Sequence, residues 1–186
     1  MGKAKSSSSM LDYQLKSRTI VIASEINQKL AKTVSEQLLM LASASDDPIR
    51  LILNSQGGHV EAGDTIFDMI QYVEPTVNII GTGYVASAGA LIFVAAEKEN
   101  RFCLPQTRFL LHQPSGGAGG SASDIKIQAE EIVKMRLRLN KIFAERTGQP
   151  LERVEKDTNR DFWMDTNEAI EYGLLHKVIV KSSELD

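Results

Sequence analysis

Three segments of the chain carry side chains suited to acyl transfer. In Gly81-Thr-Gly-Tyr-Val-Ala-Ser87-Ala-Gly89 a serine stands where an apolar strand gives way to a helix of small residues. A helix starting there aims free backbone N–H groups and a partial positive charge at that spot, which suits a developing oxyanion. In Leu110-Leu111-His112-Gln-Pro114 a histidine ends an apolar strand, the place where α/β folds gather their sites. In Asp157-Thr-Asn-Arg-Asp161-Phe-Trp-Met164 an aspartate sits between Arg160 and an aromatic pair. That setting predicts partial burial and a partner such as histidine or arginine.

Each segment also has a structural reading. Ser87 would serve as a helix N-cap, His112 as a half-buried core histidine, and Asp161 as a turn or salt-bridge aspartate. Together they supply a nucleophile, a general base and an orienting carboxylate, a triad defined by roles and geometry rather than chain order. Gly57-Gly58, after a strand and before a helix, would add a backbone donor and let a peptide come close. The other two histidines are weaker bases: His59 lies near a helix start, where the dipole disfavours imidazolium, and His176 lies beside Lys177 at a predicted surface. The Gly-x-Ser-x-Gly elbow of α/β-hydrolases is absent.

The elements that position these residues follow from periodicity. Strands are predicted at Thr19–Ala23, Arg50–Leu53, Thr76–Ile80, Arg101–Leu104, Thr107–Leu111 and Val178–Val180. Ile26, Leu30, Val34, Leu38 and Leu41 form the stripe of one helix, and Ile66, Met69, Ile70 and Val73 mark a second, stopped by Pro75. Gly81-Thr-Gly83 reads as a turn and about Ser87–Ala96 as a short helix. After the loop Ser115–Ser121, a long helix is predicted over about Ser123–Arg146, then a short helix at Trp163-Met164 and another ending at Gly173. Strands separated by helices predict a single α/β domain. The long helix has more apolar positions than one stripe needs, so it either lies at the centre of its domain or packs a second face on another subunit.

Composition excludes other classes. With 21 Lys+Arg against 24 Asp+Glu the net charge is −3, without the basic balance of a nucleic-acid binder. One cysteine and three histidines leave no basis for an internal disulfide or a metal site, and fit a reducing cytoplasmic setting. The longest apolar run, Ala90–Ala96, falls far short of the roughly 20 residues that span a membrane, and the start of the chain turns to serines where a secretory signal would be apolar.

These segments resemble the proteolytic subunit of the Clp protease, a serine peptidase family of crotonase-like fold. The resemblance is carried by Leu53-Asn-Ser-Gln-Gly-Gly58, Gly83-Tyr-Val-Ala-Ser-Ala-Gly89, Arg101-Phe-Cys-Leu-Pro105 and His112-Gln-Pro-Ser-Gly-Gly117. It continues through Thr147-Gly-Gln149, Asp157-Thr-Asn-Arg-Asp161 and Glu168-Ala-Ile-Glu-Tyr-Gly-Leu174. It implies a β-β-α superhelix with a protruding handle helix, and a peptidase domain over 13–186 behind a mobile tail, 1–12. By it, Ser87 is the nucleophile, His112 the base and Asp161 the orienting acid. The backbone N–H groups of Gly58 and Ala88 form the oxyanion hole. Gly57, Gly58, Pro114, Ser115, Gly116 and Gly117 hold the substrate, whose strand matches Gly116–Ser121.

The family's assembly implies two stacked seven-membered rings joined through the handle, enclosing a chamber. An ATP-driven AAA+ unfoldase ring feeds it with unfolded polypeptide, and the peptidase itself takes no cofactor, metal, nucleic acid or membrane. Only a short Ser/Lys-rich stretch precedes the match at Tyr13, where the family carries a longer pore segment. That departure suits an alternative, a weakly active ring subunit in a hetero-oligomer with a peptidase paralogue. An acyl-CoA hydratase or isomerase of the same architecture would need glutamates in place of the Ser/His pair. Gly116–Gly120 lacks the Gly-Lys-Ser/Thr ending of a phosphate loop.

Overall fold

The computed structural model describes residues 10–117 and 119–185. Helix α1 (Met10–Lys16) lies partly within the stretch assigned to the tail, and residues 1–9 of that stretch fall outside the described residues. Strand β1 (Thr19–Ile22) leads to α2 (Gln28–Ala44), whose N-cap Asn27 side chain accepts from Leu30 N–H. The stripe of α2 is buried through Ala31, Val34, Leu38 and Leu41. Ile26 is buried too, but stands ahead of the helix in a parallel bridge with Gly58.

Strand β2 (Ile49–Ser55), α3 (Val60–Tyr72), β3 (Val77–Ala86) and α4 (Ala88–Phe93) follow, then β4 (Arg101–Cys103) and β5 (Arg108–Leu111). The remainder comprises α5 (Ala122–Thr147), α6 (Leu151–Asp157), β6 (Phe162–Met164), α7 (Thr166–Tyr172) and β7 (Lys177–Val178). The sheet runs β1-β2-β3-β4-β7, parallel throughout. Strand β3 divides its partners: Ile79–Gly81 pair with β4, and Tyr84–Ala86 pair in parallel with β5. Strand β6 then runs antiparallel along β5. All six residues of α4 are buried against this sheet. Among the described residues no helix is long and apolar enough to cross a membrane.

The structure departs from the sequence-based expectations in further places. Gly81-Thr-Gly83 is not a turn, because β3 continues through it with a register shift opposite Leu53 and Ser55. Gly83 at φ 59° absorbs the extra length, and the Asn54 side chain accepts from Tyr84 N–H across the irregularity. Trp163-Met164 is strand, not helix: β5 supplies a ladder for these aromatic and apolar residues, and tertiary pairing overrides so short a local signal. Helix α6 was outside the predicted elements, having only Val154 buried and so no stripe to read.

Helix α5 is anchored at one end. Ser121 and Asp124 form a capping box at its start, and Gly148 closes it in the left-handed conformation at φ 74°. Leu139, Asn140, Phe143 and Thr147 are buried near its C-terminus, whereas Ile125, Ile127, Val133 and Leu137 are exposed. Buried Arg101 fastens the anchored end by donating to the carbonyls of Ala96 and Arg146, each at 2.8 Å. Burial, with Arg146 alongside, pulls its guanidinium down to about 10.

Candidate active site

Strand β3 ends at Ala86 and α4 begins at Ala88, so Ser87 alone turns the chain, at φ 54° and ψ −121°. A non-glycine residue held there costs on the order of 1–3 kcal/mol and persists only where its surroundings enforce it. Ser87 N–H donates to Leu110 O at 3.0 Å, and Ser87 O accepts from Leu91 N–H at 3.1 Å. The side chain makes no capping hydrogen bond. The N-cap reading is thereby removed, and the hydroxyl is left for other work. A strained strand-to-helix turn of this kind presents the nucleophile in α/β-hydrolases, here without their glycine pattern.

The pairing of β5 with β3 and β6 brings the other two candidates to the same place. Ala86 is the register partner of Leu110, so Ser87 and His112 leave neighbouring strands at the same end. Leu111 pairs with Phe162, which puts His112 and Asp161 at the next rung, with His112 Nδ1 3.1 Å from Asp161 Oδ1. A carboxylate can only accept, so Nδ1 carries the proton and Nε2 is the basic nitrogen. Gln113, which has no role in the sequence-based reading, continues the zipper: its N–H donates to Thr158 O at 2.7 Å and its side-chain amide to Asn159 O at 2.8 Å. The expected partial burial of Asp161 is corrected, since its side chain is 65% exposed. On edge strand β6 alternate residues point opposite ways, and Met164 and Phe162 take the inward positions. Among the described residues no hydrogen bond joins Ser87 Oγ to His112, and this leg of the arrangement is open. Such legs often close only around substrate.

Gly57 and Gly58 border the serine turn. They adopt φ +98° and +145°, and a Cβ on Gly57 would lie 2.6 Å from Ser87 Cβ and 3.1 Å from Ala88 N. A Cβ on Gly58 would run into the backbone of Ile26. Gly57 N–H donates to Ser55 Oγ, and its carbonyl accepts from Ile26 N–H. The N–H groups of Gly58 and Ala88 have no acceptor among the described residues.

A cleft of about 500 Å³ opens beside the pair, lined by His112, Gln113, Pro114, Ser115, Asn159, Arg160 and Asp161. From it the chain runs through Pro114, Ser115, Gly116 and Gly117 without regular structure, with Gly116 close against Ile132 of α5. Ala118, in the expected substrate strand, lies outside the described residues. His59 faces Glu61 at 3.2 Å on the exposed start of α3, and exposed His176 stands edge-on to Phe102. Neither shares a hydrogen bond or ion pair with Ser87 or Asp161 among the described residues.

The parallel sheet, the projecting helix and the serine turn beside a His–Asp pair define the class of crotonase-like serine peptidases. Within that class the family follows from sequence: residues 2–182 match Clp protease, and the chain belongs to that family. It is 59% identical to the ATP-dependent Clp protease proteolytic subunit 3 of Rhizobium etli over 170 residues, which is 91% of this chain and 88% of that protein. It is 55% identical to the proteolytic subunit 2 of Pseudomonas aeruginosa over 176 residues, 95% of this chain and 88% of that one. The solved structure of ClpP1 from Listeria monocytogenes superposes with a TM-score of 0.86 at 51% identity, covering 95% of this chain and 99% of that chain.

Proposed function

We propose that this chain hydrolyses peptide bonds of unfolded polypeptides through an acyl-enzyme at Ser87. Ser87 Oγ attacks the scissile carbonyl while His112 Nε2 takes its proton, and Asp161 holds the imidazole by Nδ1. The N–H groups of Gly58 and Ala88 receive the oxyanion. His112 then returns the proton to the leaving amine, and a water repeats the sequence to release the acyl group. The substrate backbone lies along Gly57, Gly58 and the segment Pro114–Gly117, where glycines admit it closely.

One observation carries this reading: a strained serine turn whose hydroxyl caps nothing sits one strand from a His–Asp pair at 3.1 Å. In the assembly proposed here, a peptidase domain over 13–186 builds two stacked seven-membered rings joined through α5, and an ATP-driven unfoldase feeds the chamber in the cytoplasm. The exposed Ile125, Ile127, Val133 and Leu137 support the use of α5 as a joint, and the names of the relatives support the ATP-driven partner. Replacing Ser87 by Ala is expected to lower peptide hydrolysis by the assembled particle at least about 10⁴-fold while leaving its size unchanged. A variant that retains hydrolysis would sink the assignment.

A second reading, a ring subunit of low intrinsic activity working with a peptidase paralogue, draws on the open Ser87–His112 leg. Assaying the homo-oligomer against a mixture with that paralogue separates the two.

A further inference from the structure

Trp163 is the chain's one tryptophan. Its ring stacks on Tyr84, with centroids 5.5 Å apart and planes 21° from parallel, and the Arg108 guanidinium lies 4.2 Å over it. The three residues stand on three different strands: Tyr84 on β3 opposite Arg108 on β5, and Trp163 on β6 opposite Leu110. The same three strands deliver Ser87, His112 and Asp161. Residues two apart share a face of a strand, so Trp163 lies on the face of Asp161, and Arg108 and Leu110 on that of His112.

Strand β6 needs such a fastening. It is three residues long, pairs with β5 alone, and its last backbone rung is Leu111–Phe162, one short of Asp161. Its inward face is fixed by buried Met164 and by Phe162 against Tyr172. Gln113 fixes the loop that enters Asp161. On the outward face, leaving Asp161, the stack with Tyr84 and Arg108 holds the strand. A slip of one residue would turn Asp161 to the other face of the sheet.

We propose that Trp163 is a positioning residue: clasped by Tyr84 and Arg108, it locks β6 on β5 and keeps Asp161 Oδ1 on His112 Nδ1. This rests on the reading of Ser87, His112 and Asp161 as the catalytic unit.

The test measures kcat and KM for a fluorogenic peptide with assembled particles of the wild type, Trp163→Ala, Trp163→Phe and Arg108→Met, each checked for size by sedimentation. Trp163→Ala is expected to lower kcat about 10-fold with KM within about twofold, because misplacement of a relay group acts on the chemical step. Trp163→Phe keeps a ring for Tyr84 and Arg108 and is expected to recover most of kcat. Arg108→Met leaves every ring in place, so it decides the matter if Trp163→Ala fails to assemble. Its tryptophan emission is expected to shift as the cation leaves, and its kcat to fall about threefold. Unchanged kcat in the assembling variants would overturn the proposal, and so would a raised KM at full kcat, which would make the stack a substrate contact. Failure of the underlying reading looks different: wild type and Ser87→Ala would then hydrolyse the peptide equally.

Discussion

The serine turn and the outer half of α5 are held in opposite ways. Ser87 is fixed by backbone bonds to β5 and α4, by the wholly buried α4, and by glycine backbone packed against its Cβ. The outer half of α5 has its capping box and short-range pairs, Lys126–Glu130 at 3.9 Å and Lys134–Glu131 at 2.7 Å, and exposes Ile125, Ile127 and Val133. Local pairs of that kind, held in solvent, add little to stability. The first region stores strain because its own chain encloses it. The second presents apolar side chains that no described residue of the chain buries. The two regions come together where Gly116, leaving the cleft, meets Ile132 of α5.

Of the changes that leave Ser87 itself in place, the one with the greatest consequence falls in the enclosed region. Replacing Gly57 by Ala puts a methyl 2.6 Å from Ser87 Cβ at a φ of +98°. It is expected to cut kcat/KM for peptide hydrolysis by about 10²-fold or more, since small displacements at a reacting centre cost that much. Retained activity would show that the turn is looser than its contacts indicate. The next tests the unpartnered region. Replacing Ile127, 59% exposed, by Asp is expected to dissociate the proposed two-ring particle in size-exclusion chromatography while leaving the far-ultraviolet helical signal unchanged. An intact particle would take α5 out of the joint.

The smallest effect concerns the interior of the sheet. Burial pushes the Cys103 thiol from 9.0 up to about 11, against the opposing hydrogen bond with Thr107. Between those values the unfolded chain has lost a proton that the folded chain keeps, so stability falls as pH rises from 9.0 to about 11 and then levels. Urea midpoints across that window, with slow native alkylation at neutral pH, check the sign.

Much of the arrangement is legible in the sequence because it follows from strand ends. The apolar run Thr107–Leu111 predicts a strand that finishes at His112, and the small residues after Ser87 predict a short helix there, whereas the strand before Ser87 runs on past its predicted end at Ile80. The helix stripe through Val34, Leu38 and Leu41 is buried as its spacing predicts. What escapes depends on pairing at a distance. The split of β3 between β4 and β5 hides behind glycines that resemble a turn, and Phe162–Met164 is strand only because β5 lies beside it. Asp161 is exposed because β6 is an edge, a property of topology that its neighbours in sequence do not reveal. The strain at Ser87 and the two bonds from Gln113 likewise have no local signature.

We propose that Ser87 is the nucleophile which this enclosure prepares. It is tested most directly by treating the assembled particle with a fluorophosphonate and locating the adduct by intact mass and peptide mapping. One adduct per subunit is expected, on Ser87, and none on the Ser87→Ala particle. An adduct on any other residue, or equal labelling of Ser87→Ala, would contradict it.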